Sequence, residues 1–400
     1  MNDDKIKNSL RNGPDELGYY GHGESAMGGM PVGETLIPVL HELKGAFEDA
    51  IKDKNFLDEY AYYCKHYIGR PSPLYYAENL SKKFGAKILF KQEHLNHTGS
   101  HKANNALFQT LLAKRMKKST ILVESGAGQH YSASCALAAK FKMKIIGVMG
   151  KTDIGRVNQN ILKAKHYGGK LIAVEGTLKE AITHVMKLWT SSPEYYYLCG
   201  SVCSAFPIPQ IVQYAQSIIG KELRQQLLDQ EGKLANELIG CIGSGSNFLG
   251  LIHEFLDEPE ILKIGVEAKE TAALTNGTVG IMQGMKTYML QSKDGARSLG
   301  GSSLGAGIQY FASGPEHSFL KDNSKSVSYT YASDKEMLNA YKETSLNEGI
   351  SLALEPTAAV AVALKRAKGK PKDYLIVISA CGRGEKDLET IEKYIGKEFE

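Results

Sequence analysis

AKILFKQEHLNHTGSHKANNALFQTLLAKRMK, residues 86–117, is the stretch whose reading decides the fold. Its apolar opening, Ala86 to Lys91, reads as a short strand, and Gly99 and Asn96 mark the turn that follows. From Asn104 to Lys117 the Ala, Leu and Phe residues recur at helical spacing. Lys102 therefore falls where a strand and loop feed the first turn of a helix. Unsatisfied N–H groups and the helix dipole make that position positive. A positive, partly dry setting favours the neutral amine, the form that attacks a carbonyl to make a Schiff base. Taken alone, Lys102 would read as a solvated surface charge; its weight comes from what lies further along the chain.

Outward from this unit the pattern repeats. Strands are expected at Lys87–Lys91, Thr120–Glu124, Lys144–Met149, Lys170–Val174, Glu237–Ile242, Lys263–Glu267 and Tyr374–Ser379. Helices are expected at Ser132–Phe141, Val157–Tyr167, Leu178–Trp189, Gln210–Glu231 and Phe248–Phe255. Such alternation predicts an α/β fold with parallel sheets, whose ligands bind beyond the carboxyl ends of the strands. Thr271 to Lys325 is rich in Gly and Ser and reads as long, irregular loops. With 400 residues the chain is long enough for two domains sharing a cleft.

Composition narrows the function classes. Hydrophobic residues make up 42% and charged residues 23%, as in an ordinary soluble globular protein. The net charge of +4 comes without a basic block, and Gly369 and Pro371 interrupt the densest basic run, so no nucleic-acid partner is expected. No apolar run reaches membrane-spanning length and the polar start lacks a signal-peptide core, so no membrane association and a cytoplasmic location are expected. The six cysteines show no zinc-ligand spacing and read as reduced thiols.

Three loops at strand ends carry candidate chemistry. ESGAGQH, Glu124 to His130, offers small residues whose N–H groups converge on an anion, with Glu124 as a candidate general acid and base. GSGSN, Gly243 to Asn247, follows the strand ELIGCI; its glycines permit close backbone approach and its Ser and Asn side chains add donors. It is neither a Walker loop nor a dinucleotide fingerprint. SACGRGEKD, Ser379 to Asp387, places Cys381 just past a third strand. An imine-forming lysine, a phosphate cradle, a carboxylate loop and a neutral strand-end partner together suggest pyridoxal 5'-phosphate.

These strings also carry a resemblance. GGMPVGETLIPVLHEL, GRPSPLYYAENLS, LNHTGSHKANNAL, ESGAGQH, GSGSN, GVEA, GMKTYMLQ, GPEHSFLKD and GRGEKD occur in the order in which the tryptophan synthase β chain family has them. The resemblance implies a fold-type II pyridoxal-phosphate enzyme: two three-layer α/β/α domains with mostly parallel sheets and the cofactor in the cleft between them. It implies residues 1–67 plus 101–215 as an N-terminal domain, with a mobile subdomain at about 117–200, and 68–100 plus 216–400 as a C-terminal domain. It implies Lys102 as the internal aldimine and Glu124 as the catalytic acid and base. His101, Ser201, Gly243, Ser244, Gly245, Ser246, Asn247, Glu355 and Cys381 would bind the cofactor. Ser125, Gly126, Ala127, Gly128, Gln129, His130 and Gln309 would bind substrate. The backbone carbonyls of Gly243, Tyr310 and Ala312 would hold a monovalent cation, Na+ or K+. The implied reaction joins L-serine and indole through an aminoacrylate to give L-tryptophan and water. A homodimer, with a tryptophan synthase α chain in an αββα assembly, is implied as well.

Departures from the family pattern cluster on the substrate side. Gln309 stands where an aspartate is usual, which would leave Arg156 without its carboxylate partner, and Cys381 stands in place of serine. Tyr131 replaces a glycine and is expected to crowd the pocket. Ser204-Ala205-Phe206, Pro356-Thr357-Ala358, Met282, Gln283 and His94 also differ. Two further readings stay open: a serine or threonine ammonia-lyase in which the intermediate leaks to pyruvate, and a low-turnover regulatory subunit.

Overall fold

The computed structural model describes residues 10–155 and 158–399. Its contacts divide the chain into two units: one runs to Met30 and adds Ser72–His94 and Val202–Glu400, the other comprises Pro31–Pro71 and Leu95–Ser201. The larger unit holds a six-stranded sheet in the order Val327–Ala332, Leu262–Ala268, Glu237–Ile242, Leu375–Ser379, Lys87–Lys91, Leu74–Tyr76. Every pair is parallel except the last, which is antiparallel. Helix Leu354–Ala367 is buried from Leu354 to Leu364 and forms the core of this unit with the strand faces and helix Asp334–Glu348. An amphipathic period cannot mark a helix that is apolar all round, and none was expected there.

The smaller unit is built on a parallel four-stranded sheet, Lys170–Val174, Lys144–Gly150, Thr120–Glu124, Tyr195–Tyr197. Helix Lys102–Arg115 is buried from Ala103 to Ala113. Phe108 of this helix meets Phe47, Phe56 and Tyr60 edge-on, at ring separations of 6.1, 5.4 and 5.3 Å, which ties helices Ile37–Ala50 and Lys54–Tyr63 to it.

The seven expected strands are all present, within a residue at each end. Two expected elements differ. The helix Gln210–Glu231 is two helices, Ile208–Gln216 and Ile218–Glu231, with Ser217 between them. The Ser217 hydroxyl donates to the Tyr214 carbonyl at 2.8 Å, a back-bond that bends a helix. The 271–325 segment is not a run of loops: it contains the hairpin Thr278–Met282/Met285–Met289 and helix Pro315–Asn323. Gln283 and Gly284 close the hairpin with φ of 47° and 81°, the positive pair that a two-residue hairpin turn requires. The hairpin continues into Met27–Gly28 and Tyr19–Tyr20, which is why the start of the chain groups with the larger unit rather than with residues 101–215. Residues 202–215 group there as well; helix Ile208–Gln216 packs on helix Ser246–Ile252. Among the described residues no helix is long and apolar enough to cross a membrane, and none of the six cysteines is in a disulfide.

Candidate active site

In the smaller unit one short segment gathers the candidate residues. Strand Tyr195–Tyr197 runs out into Leu198, Cys199 and Gly200, and backbone groups of those three residues bind side chains from three directions. Lys102, the first residue of its helix, donates from Nζ to the Gly200 carbonyl at 2.6 Å. Glu124, the last residue of its strand, accepts at Oε1 from the Gly200 N–H at 3.3 Å. His130 faces the Leu198 carbonyl at 3.0 Å through Nε2, so Nε2 carries the hydrogen. Asn105 and Gln109, one turn and two turns into the Lys102 helix, both donate to the Cys199 carbonyl, at 2.9 and 2.7 Å. Gly200 admits no side chain, because a Cβ there would lie 2.4 Å from the His130 ring. The segment is therefore a strap that fixes the lysine, the carboxyl and the imidazole relative to one another.

Electrostatics at the strap are set by burial. Glu124 is 3% exposed, and burial pushes its carboxyl up to about 7 against hydrogen bonds and the Lys102 charge. Its Oε2 has no hydrogen-bond partner, nor has the Tyr197 hydroxyl beside it. The Tyr197 hydroxyl acts on the carboxyl from beside it, opposing the effect of burial. The Cys199 thiol reaches Oε1 at 3.8 Å. Burial, followed by the Lys102 charge, pulls His130 down to about 3, so the ring is neutral, and its Nδ1 has no partner. The loop Ser125–Gly128 turns through Gly128 at φ 73°, and the Ala127 carbonyl is held by Asn160 Nδ2 at 2.9 Å. His101 precedes Lys102 and is buried, while Ser201 is half-buried and its carbonyl accepts from the Cys199 thiol at 3.4 Å.

The larger unit carries the other candidates. Strand Glu237–Ile242 delivers Gly243–Asn247, with Gly245 at φ 99°. Asn247 donates to the Cys241 carbonyl at 2.9 Å, leaving its own Oδ1 buried without a partner. A Cβ on Gly243 would lie 2.6 Å from the Gly307 carbonyl, so only glycine fits there. Past the neighbouring strand, Cys381 brings its thiol to 3.5 Å from that of Cys241. Glu355 Oε1 accepts from Lys386 at 2.9 Å and from the Gly307 N–H at 2.7 Å, while Oε2 has no partner. Burial pushes the Glu355 carboxyl up, but the Lys386 ammonium outweighs it and holds the group below its ordinary range.

These residues fit pyridoxal phosphate. A primary amine stands at a helix start, a glycine loop follows a buried strand, and buried polar atoms on Asn247, Glu355 and Glu124 lack partners. Comparison with known proteins agrees. Residues 66–382 match the family described as pyridoxal-phosphate dependent enzyme. The chain is 44% identical over 409 residues to the tryptophan synthase beta chain of Allorhizobium ampelinum, covering 99% of both. Identity to that of a Methylobacterium species is 44% with 99% coverage of both, and to that of a Bradyrhizobium species 43% with 98%.

The chain belongs to the tryptophan synthase β chain family.

A fungal L-serine ammonia-lyase from Rhizomucor miehei superposes with a TM-score of 0.67 at 17% identity, covering 82% of this chain and 98% of that one. The shared fold is that of fold-type II pyridoxal-phosphate enzymes.

Against this family background, several departures take a different meaning from the one their sequence positions suggest. Tyr131 does not crowd the carboxylate loop. It is 1% exposed and its ring points into the unit, where Cβ atoms on Gly147 and Gly169 would lie 2.3 Å from its Cε2 and 2.7 Å from its hydroxyl. The second position after Gln129 in the helix Gln129–Lys140 turns toward the sheet, and two glycines make the room. Gly147→Ala is accordingly expected to cost about 1–3 kcal/mol through overpacking, read as a lower denaturant midpoint. Phe206 packs under the N-terminal segment, taking the space beside Gly18, and its N–H donates to the Gly29 carbonyl at 3.1 Å. Gln283 sits in the hairpin turn, where it accepts from the Tyr310 hydroxyl. Thr357, inside helix Leu354–Ala367, donates to the Leu354 carbonyl at 2.7 Å. His94 lies against the Cys381 loop, with Nδ1 3.3 Å from the Ala380 carbonyl. Gln309 donates to the Gly301 carbonyl at 3.2 Å. Arg156 lies outside the described residues. The Ala312 carbonyl accepts from the Cys203 thiol at 3.3 Å.

The strap itself is what sequence reasoning missed. Cys199 and Cys203 mark a strand-to-loop passage in the sequence, but carbonyls do the binding, and no side-chain motif records a carbonyl.

Proposed function

We propose that the chain condenses L-serine with indole to give L-tryptophan and water. Convergence of Lys102, Glu124 and His130 on the 198–200 strap carries this reading, in a chain aligned nearly end to end with tryptophan synthase beta chains. Pyridoxal phosphate, when bound, supplies the electron sink for the amino acid's Cα electrons. Lys102 anchors the cofactor and moves the Cα proton. Glu124 gives a proton from Oε2 to the departing serine hydroxyl and recovers one from indole. A carboxyl near 7 suits both transfers, since it gives and takes protons at neutral pH. Ser125 to His130 bind the substrate carboxylate, and neutral His130 adds no competing charge. Gly243 to Asn247 would hold the phosphate, and His101 and Ser201 are the residues that the family resemblance adds to that role. Glu355 would border the cofactor ring, and a neutral Cys381 thiol facing the pyridine nitrogen would favour its unprotonated form, which suits elimination and replacement.

The carbonyls of Gly243, Tyr310 and Ala312 take Na+ or K+. The chain works in the cytoplasm as a homodimer that accepts a tryptophan synthase α chain as indole donor.

Incubating the purified protein with L-serine, with and without indole, tests the reaction. Tryptophan as the main product supports it. Pyruvate that indole does not suppress would replace it with the ammonia-lyase reading, which Gln309 and Cys381 favour. Gln309→Asp restores a carboxylate whose charge-assisted contacts are worth about 1.5–3 kcal/mol, so a lower ratio of pyruvate to tryptophan is expected. An unchanged ratio would remove Gln309 from the account.

A further inference from the structure

Helix Pro315–Asn323 belongs to no part of the reaction described so far, yet it grips the glycine loop from behind. Two successive loop carbonyls accept from this segment, the second of them shared with the Leu249 N–H of its own helix at 3.0 Å. Gly314 N–H donates to the Ser244 carbonyl at 3.0 Å, and His317 Nε2 stands 3.0 Å from the Gly245 carbonyl. His317 is completely buried, its ring stacked 5.9 Å from that of Phe248, and its Nδ1 lies 3.0 Å from the Tyr329 hydroxyl. A carbonyl only accepts, so Nε2 carries the hydrogen, and Nδ1 accepts from the Tyr329 O–H. Tyr329 lies on strand Val327–Ala332, so the ring's orientation is set by the six-stranded sheet. The fit leaves no slack: a Cβ on Gly245 would lie 1.9 Å from His317 Nε2. The next residue, Ser318, is bonded to Thr287 at 2.7 Å and to the Tyr288 N–H at 3.0 Å, which fastens the helix to the hairpin.

Peptide geometry converts this grip into a consequence for the ligand. In a trans peptide the carbonyl and the next residue's N–H point in opposite directions. Holding the carbonyls of Ser244 and Gly245 toward the 314–317 segment therefore turns the N–H groups of Gly245 and Ser246 to the loop's other side.

We propose that His317, oriented by Tyr329, is a positioning residue that sets the Gly243–Asn247 loop so that its N–H groups face the cofactor's phosphate. The inference rests on the reading that this loop holds the phosphate. It gives a chemical signature that a merely structural histidine would lack: its loss weakens binding of the phosphorylated cofactor and spares pyridoxal, which has the same ring and aldehyde but no phosphate.

The test strips cofactor from the full-length protein and titrates it with pyridoxal phosphate and with pyridoxal, for wild type, His317→Phe, His317→Gln and Ser246→Ala. His317→Phe is expected to raise the Kd for pyridoxal phosphate by about 3- to 10-fold, the worth of one hydrogen bond lost from a carbonyl that keeps its Leu249 partner, with the pyridoxal Kd within about twofold. His317→Gln places an N–H near the same point and is expected to recover most of the loss. Equal weakening for both ligands, or an unchanged ratio alongside a reduced ratio in Ser246→Ala, would overturn the role of His317. An unchanged ratio in Ser246→Ala would instead sink the phosphate assignment of the loop, and the inference with it. If melting shows that His317→Phe is unfolded, Tyr329→Phe decides: a lower ratio supports the relay and an unchanged one overturns it.

Discussion

Glu124→Gln is expected to lower the rate of hydroxyl loss from L-serine by about 10²- to 10⁴-fold, the usual worth of a positioned proton donor. The amide keeps the hydrogen bond from Gly200 N–H but has no proton to give from the atom that replaces Oε2. Stopped-flow or steady-state assay with L-serine reads the effect directly. The pH dependence sharpens it. Burial places the Glu124 carboxyl at about 7, so its donor form prevails below that value and falls tenfold per unit above it. Wild type should therefore lose rate on the alkaline side of about 7, and Glu124→Gln should lack that limb. Stability should move as well. Between its ordinary 4.5 and about 7 the folded protein keeps a proton that the unfolded chain has released. Wild type is thus expected to lose stability relative to the Gln variant as pH rises through that window. A wild-type rate profile matching that of the variant would remove Glu124 from the proton path.

Lys102→Ala should be more damaging. It removes the anchoring amine and the base for the Cα proton together, and product formation is expected to fall below about one thousandth of wild type. It also leaves the Gly200 carbonyl without its 2.6 Å donor, so the strap loses one of its bonds. Asn105 and Gln109 still hold the Cys199 carbonyl, and the fold should persist with a modest fall in melting temperature. Added small amines that restore part of the activity would identify the missing group as a proton carrier. Full activity in the variant would show that a different amine holds the cofactor.

Much of this architecture is legible in the sequence because buried parallel strands are short, β-branched and bounded by glycine. ELIGCI before GSGSN and TILVE before SGAGQH declare both a strand and the loop where chemistry sits. Helix Leu354–Ala367 is not legible in this way, since burial on every side erases its period. The hairpin Thr278–Met289 hides for another reason: glycines at 280 and 284 interrupt the alternation and imitate loop composition. Among the candidate site residues, Lys102, Glu124 and His130 announce themselves by type and position. Gly200 and His317 do not, because both act through backbone carbonyls whose direction only the fold defines. Tyr131 is the reverse case, close to the loop in sequence yet turned away from it by helix phase.

Every proposed step depends on the amine of residue 102. Borohydride reduction of the cofactor-loaded protein, followed by peptide mass spectrometry, locates the pyridoxyl group. The expected result is a single pyridoxyl label on Lys102 in the resting protein, displaced from the protein when L-serine is added before reduction. A label on any other side chain, or a Lys102 label that L-serine leaves in place, would contradict it.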